Sequence, residues 1–434
     1  MKEITIVIST AFQDAGDATR AIEIAKAVKK YQPAGINARI VFISHGSRFE
    51  QNVRALNFDI YHATPKLPGE GLYQDLGMTI SNLIGTEDLA KELLFGEIAA
   101  YNDIKPDIVL YGFWPIAGLA RRMTKREIPG ICFAPLPLVP DFFDVLPDIP
   151  EQIKIFSLLP KWLRLFIFRK IPKFVKNRVP ILRQNNIRHA AYSIGWDKDK
   201  LVNVFDLLKA NLIIVNDLPD YYMLDKFPSN VKFTGPLFAI PNDTRAIEPG
   251  ILDVFSSNVS HPKIFCTLSS SGSEEMLKPL LQAFTYGPGL SWNVVILSPH
   301  FSVEKARKIL NGRNGVYITD TFIPALRVNT MADITLCHGG QGTLQTALCA
   351  GTPIVGVAMQ QEQFINLSNI EAHGVGIRIP RRKWSSQHIQ LAILHVLENK
   401  KFKETALLFQ KKIQSADGAQ NAADAIWKEM LNKI

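Results

Sequence analysis

Short apolar runs rich in β-branched residues alternate with segments of helical period along this chain, and the alternation stops once and starts again. Ile4-Thr5-Ile6-Val7-Ile8-Ser9 opens the series, and Ala21, Ile22, Ile24, Ala25 and Val28 come next at helical spacing. Further strand-like runs are Ala38–Ile43, Asp107–Tyr111, Pro129–Ala134 and Asn211–Val215. An apolar run of this length has no polar face to show to water, so it belongs inside a parallel sheet covered by helices on both sides. Near Thr234-Gly235-Pro236-Leu237 the pattern breaks into turn-forming residues that run to Pro249-Gly250. It restarts with Lys263–Leu268, Trp292–Leu297, Val316–Thr319, Ile334–Cys337 and Pro353–Val357. The chain is thus expected to be α/β, with two Rossmann-like parallel-sheet domains facing across a cleft. At 434 residues it is too long for one compact core.

Residues 1–236 form the expected first domain, 237–261 a linker and 262–415 the second domain, while 416–434 form a helix returning to the first. No stretch of about 18 uninterrupted apolar residues is present, so no transmembrane helix is expected. The start of the chain reads as a strand rather than a signal peptide. Cys132, Cys266, Cys337 and Cys349 form no C-x-x-C pair, and three lie in apolar runs. Reduced, buried thiols in a cytoplasmic protein are the simplest reading, with peripheral attachment to a membrane the variant.

In open parallel sheets ligands bind beyond the carboxyl ends of the strands. Asp333–Cys337 is such a strand, His338-Gly339-Gly340-Gln341-Gly342-Thr343 the turn after it, and Leu344–Ala350 a helix closed by Gly351. Glycines let backbone approach a ligand closely, and the free N–H groups of a helix start favour a diphosphate. Thr343 and His338 add donors. The turn is not a Walker A loop, since no Lys comes after its last glycine. On pattern alone it is either a phosphate site or a tight strand-to-helix turn without a ligand.

The residues beyond this turn carry a resemblance. His-Gly-Gly-x-Gly-Thr is succeeded by Gly351-Thr352-Pro353, by Glu362-Gln363 with Asn366, and by Gly374-Val375-Gly376. Over residues 333–379, about a tenth of the chain, this order resembles the donor-binding signature of the nucleotide-sugar glycosyltransferases, the UDP/TDP-glycosyltransferase-like family of GT-B fold. Plant natural-product, macrolide and sterol glucosyltransferases belong to it. The resemblance implies that His338, Gly340, Gln341, Gly342 and Thr343 bind the donor diphosphate. It implies that Glu362 and Gln363 hydrogen-bond the donor sugar. Ser270 and Gly272 fall where the family lines its donor cleft, and Phe322 and Ile323 where backbone groups hold the nucleobase. The Trp-x-x-Gln of plant members is absent, so the resemblance does not single out UDP as carrier.

The family's reaction is inverting displacement at the anomeric carbon, with a base in the loop after the first strand. Here Gly16-Asp17 occupies that place, as Gly-Asp does in some relatives. Asp17 is therefore the expected base, and Gly16 and Trp114 are expected to border the acceptor. The competing reading makes Asp17 a helix N-cap; Asp14 and His45 are the alternative bases. No metal or resident cofactor is expected, the nucleotide-sugar being a co-substrate. Asp197-Lys198-Asp199 reads as a helix cap rather than a metal motif.

The net charge of +9 is local: residues 152–190 hold ten Lys or Arg and no Asp or Glu. Trp162, Phe166 and their apolar neighbours recur there at helical spacing. The segment reads as a contact with an anionic membrane, as a helix packed on its own domain with a solvated basic rim, or as a site for an acidic acceptor. Nucleic acid is not an expected partner, because aromatics and cations do not alternate on a recognisable binding fold. The resulting expectation is transfer of a sugar to a hydroxyl of a small-molecule or lipid acceptor. An epimerase of the same fold and a non-catalytic helper are the alternatives.

Overall fold

The computed structural model describes residues 2–79, 81–151, 159–237, 245–268, 274–298, 302–321 and 323–432. The chain divides into two compact units. One holds Met1–Val145, Ile167–Leu237 and Asp417–Ile434; the other holds Leu146–Phe166 and Phe238–Ala416.

The first unit is built on a seven-stranded parallel sheet: β1 (Lys2–Ser9), β2 (Ile36–Ser44), β3 (Asp59–His62), β4 (Ile108–Tyr111), β5 (Gly130–Ala134), β6 (Leu212–Val215) and β7 (Val231–Phe233). Its order is β3-β2-β1-β4-β5-β6-β7. The register sets Ile6 against Ile40 and Ile8 against Leu110. Side chains alternate across a strand, so β1 feeds two cores. Ile4, Ile6 and Ile8 join one core with the helix α1 (Ala15–Lys30), and Val7 joins the other. The last helix, Gly418–Leu431, adds Ala422, Ala423, Ile426, Trp427 and Met430 to the core that holds α1. Trp427 Nε1 donates to the Val28 carbonyl at 3.1 Å, and Tyr31 Oη donates to Asp417 at 2.9 Å.

The second unit carries β8 (Lys263–Thr267), β9 (Asn293–Leu297), β10 (Val316–Thr319), β11 (Ile334–Cys337), β12 (Ile354–Gly356) and β13 (Gly376–Arg378), all parallel, in the order β10-β9-β8-β11-β12-β13. Three of the thirteen strands among the described residues are absent from the sequence reading: β3, β7 and β13. All three are sheet edges of three or four residues. An edge strand is covered on fewer sides, so Asp59-Ile60-Tyr61-His62 and Val231-Lys232-Phe233 lack a continuous apolar run.

Two segments lie elsewhere than the sequence pattern suggests. Residues expected to be a linker include a helix, Pro249–Ser257, whose Ile251 and Phe255 pack with Phe265, Val295 and Val328 of the second unit. Leu146–Phe166 also belongs to the second unit. Fully buried Asp148 explains why: Arg164 binds it in a bidentate pair, and Arg378 of β13 reaches it at 3.0 Å and Glu151 at 2.6 Å. A buried carboxylate is tolerated only with such partners. The four cysteines are buried and free, and burial pushes the Cys337 thiol up to about 12.

Candidate functional site

Each sheet contains one reversal of strand order. In the second unit it falls between β8 and β11, so the turns that leave these strands meet the crevice where ligands bind in such sheets. The turn after β11 is His338-Gly339-Gly340, and the helix Gln341–Cys349 starts directly from it. Gly340 stands at the N-cap and offers no capping side chain, so the first N–H groups of this helix have no intrahelical acceptor. Gly340, Gly342 and Thr343 are half-buried at this lip, while Gln341 is buried. The helix stops as expected, with Gly351 at φ +69°.

Gly339 and Gly340 are required for different reasons. Gly339 has φ +87°, and a Cβ there would lie 2.6 Å from Leu367 Cγ and 2.9 Å from the Gln363 carbonyl. Gly340 has ordinary backbone, but a Cβ would meet His338 Nε2 at 2.5 Å. The turn is therefore wedged between the His338 ring and the helix Gln361–Ala372. Asn366 of that helix completes the wedge: its Nδ2 donates to the Gly339 carbonyl at 3.1 Å and to Glu362 Oε1 at 3.2 Å. Asn366 thus ties one expected sugar-binding residue to the expected phosphate turn. Its position in the sequence motif signals that it matters, but not that it acts through Gly339.

Glu362 is half-buried; Gln363 is buried. Gln363 Oε1 accepts from the backbone N–H groups of Met359 and Gln360 at 2.9 and 3.2 Å, in a capping box that opens the helix. The amide expected to meet the sugar therefore also fixes the helix start. The Ile323 side chain is 2% exposed and belongs to the core with Phe255 and Phe265, which leaves its backbone as the group available to a base. Ser270, Gly272 and Phe322 lie outside the described residues.

Burial holds the His338 pKa down to about 4, with the Thr267 backbone pulling weakly upward. The imidazole is neutral near pH 7 and presents one N–H. As pH falls below about 6.5 the unfolded chain binds this proton first, so the folded state loses stability down to about pH 4 and no further. The full loss is about 3 kcal/mol, since a tenfold change in proton affinity corresponds to roughly 1.4 kcal/mol. Chemical denaturation across this window should show a shallower acid-side fall for His338→Gln than for the wild type. Equal slopes would mean that His338 is not buried neutral. Burial also lowers His45 in the first unit, so part of the slope should persist.

In the first unit the reversal lies between β1 and β4. Asp14, not Asp17, caps α1: its carboxylate accepts from the Asp17 N–H at 3.0 Å. Asp17 lies in the first turn, 8% exposed, and its Oδ1 accepts from Arg20 Nη1 at 2.6 Å. Gly16 beside it is exposed. Trp114, expected at the acceptor, is 1% exposed, and its indole N–H donates to Glu97 Oε1 at 2.9 Å. Ser9 Oγ donates to the same oxygen at 2.5 Å, and His45 Nε2 stands 3.9 Å from it. His45 Nδ1 faces the Pro65 carbonyl at 3.1 Å, where it donates. Trp114 is thus a wall around a buried carboxylate rather than an exposed contact.

Glu97 belongs to none of the sequence motifs described above. A signal existed: Leu93, Leu94, Ala100 and Tyr101 place it on the buried stripe of the helix Glu87–Ile104. Asp197-Lys198-Asp199 caps no helix; Asn203 caps the short helix Val204–Leu207, and Asp199 pairs with Lys209 at 3.2 Å. Among the described residues no group of three or more His, Cys, Asp or Glu is placed to hold a metal ion. Among them, too, no helix is long and apolar enough to cross a membrane.

Residues 295–426 match the family model described as Erythromycin biosynthesis protein CIII-like, C-terminal domain. A PGL/p-HBAD biosynthesis glycosyltransferase of Mycobacterium tuberculosis is 24% identical over 263 residues, 60% of this chain and 56% of that protein. The match thus spans little more than half of that relative. A PGL/p-HBAD biosynthesis rhamnosyltransferase of Mycobacterium bovis is 23% identical over 367 residues, 83% of this chain and 74% of that one. Among solved structures, the calicheamicin glycosyltransferase aligns with TM-score 0.66 at 17% identity, covering 100% of this chain and 99% of that chain. The glycotransferase of kitacinnamycin aligns with TM-score 0.65 at 16% identity, covering 98% of each. At these identities the solved structures speak for the fold, which is GT-B. Taken with the family match over residues 295–426 and the relatives, they make the chain similar to glycosyltransferases of the UDP/TDP-glycosyltransferase-like kind.

Proposed function

We propose that the protein transfers a sugar from a nucleoside-diphosphate donor to a hydroxyl of a small-molecule acceptor, with inversion at the anomeric carbon. The observation that carries this reading is the turn His338-Gly339-Gly340, which opens an uncapped helix at the strand-order reversal of the second sheet. Backbone N–H groups of Gln341, Gly342 and Thr343 face the donor diphosphate, and the helix dipole favours its charge. His338 gives one neutral N–H. Glu362 receives a sugar hydroxyl and is held in place by Asn366.

In the transfer, Asp17 takes the proton from the acceptor hydroxyl. The acceptor oxygen bonds to the anomeric carbon, and the bond from that carbon to the diphosphate oxygen breaks. The nucleoside diphosphate leaves with the electron pair, and the helix start stabilises the developing charge. No step calls on a metal. The relative named a rhamnosyltransferase supports a deoxyhexose as one donor sugar to try.

Thermal shift against a panel of nucleotide-sugars tests the donor half, because a ligand that binds only the folded state raises its apparent stability. One family of donors should raise the midpoint, and the nucleoside diphosphate alone should retain much of the effect. His338→Ala should weaken that donor about tenfold to a hundredfold, the range for a lost hydrogen bond to a charged group. Unchanged affinity would remove His338 from the site. Conversion of donor to an isomer without acceptor would point to an epimerase instead.

A further inference from the structure

Between residues 167 and 178 the first unit is built inside out. Lys176 is 2% exposed: its ammonium lies over the Phe168 ring at 5.0 Å, binds Asp144 at 3.0 Å and reaches the Arg169 carbonyl at 3.4 Å. Phe168 is 5% exposed. These contacts bind the short helix Lys173–Lys176 to the end of the helix Lys161–Lys170. The apolar neighbours point the other way. Phe174 is 64% exposed, Val175 46% and Ile167 37%, and the same helix also exposes Trp162. A buried lysine beside an exposed phenylalanine reverses the usual assignment, and large exposed apolar groups rimmed by polar ones mark a contact surface.

Charge says what covers it. Lys173 and Lys176 neutralise Asp141 and Asp144. Arg169, Arg178 and Arg183 are exposed, and among the described residues no carboxylate lies within ion-pairing distance of them. From 167 to 190 the chain has no acidic residue at all. We infer that this face docks on an anionic lipid surface, with Phe174, Val175 and Ile167 entering the interface and Arg169, Arg178 and Arg183 meeting headgroup phosphates. An acidic protein would satisfy the arginines but would leave unexplained why Phe174 and Val175 stand out among them. An interfacial bilayer takes both, because apolar side chains sink below the headgroups while cations stay at their level. The inference is independent of the transferase reading, and donor affinity in solution does not depend on it.

The test is co-sedimentation of the full chain with vesicles of mixed phosphatidylglycerol and phosphatidylcholine, against vesicles of phosphatidylcholine alone. The protein should bind the anionic vesicles, bind the neutral ones weakly, and come off as salt is raised. Each cation near an anionic leaflet contributes roughly fivefold in partitioning. Arg169→Glu with Arg178→Glu should therefore lower binding by well over tenfold. Phe174→Ser with Val175→Ser should also lower it about tenfold or more, through lost apolar burial. All four positions are exposed, so the thermal midpoint and donor affinity of both variants should match the wild type. Equal binding by variants and wild type, no binding to either vesicle, or indifference to lipid charge would overturn the inference. So would a solution dimer that Phe174→Ser dissolves without any vesicle binding, since a second copy would then cover the face.

Discussion

Asp17→Asn is expected to lower turnover by about a hundredfold to ten-thousandfold, the range for a lost general base, while leaving donor affinity unchanged. Its position supports the role: α1 starts at the strand-order reversal of the first sheet, and Asp14 has taken over the capping task. Asp17 therefore is not needed to start the helix. Arg20 complicates the experiment. It is 3% exposed and donates to Asp17 at 2.6 Å, so the variant leaves a buried guanidinium short of a counter-charge. Removing one partner of a buried pair costs about 3–5 kcal/mol at the severe end. Asn keeps an acceptor for the Arg20 N–H, which limits the loss, and thermal unfolding of the variant separates a folding defect from a chemical one. A folded variant with near-normal turnover would move the base elsewhere, His45 being the next side chain to replace. A wild type that binds donor but turns over no acceptor would instead make the chain a binding protein that has kept the family's donor site.

Gly339→Ala should damage the second unit and its ligand together. Two costs add at this position. The residue has φ +87°, outside the range an L side chain favours, which costs about 1–2 kcal/mol. The new methyl would also sit 2.6 Å from Leu367 Cγ and 2.9 Å from a backbone carbonyl, and overpacking of this kind costs about 1–3 kcal/mol. The unit should lose about 2–5 kcal/mol in all, and relief of the clash should push the turn away from the helix that Asn366 clamps to it. Donor affinity measured below the unfolding transition should fall at least about tenfold, since 1.4 kcal/mol of lost binding is enough for that. A variant that loses stability yet binds donor as tightly as the wild type would show that the diphosphate sits elsewhere. Gly340→Ala serves as the companion: its backbone is ordinary, so its effect should come through the displaced His338 ring alone, with donor affinity falling more than stability.

The candidate donor residues of the second unit were readable one by one because they are nearly contiguous. Strand β11, the two glycines of the turn and the helix after it come one after another in fewer than twenty residues. The candidate residues of the first unit were less readable. Whether Asp17 or Asp14 caps α1 depends on a one-turn shift in where the helix begins, and both residues suit the position. The pairing of Asp17 with Arg20 is a rotamer choice made inside a packed core. Glu97 gathers Ser9, Trp114 and His45 from three separate stretches of chain, so no window of sequence contains the cluster.

Chain order alone determined the two α/β units, their central strands and the glycine turn between β11 and its helix. Hydrophobic period and glycine placement are local properties, and burial on both faces of a parallel strand leaves a run of apolar residues that few other structures need. Tertiary structure alone decided the edge strands β3, β7 and β13, the membership of 146–166 and 249–257 in the second unit, and the partner of each buried charge. Those outcomes rest on ion pairs such as Asp148 with Arg378 and on helices such as Pro249–Ser257 filling a gap beside β9 and β10. Such contacts join residues far apart in the chain, and their energy exists only once the sheets have formed to bring them together.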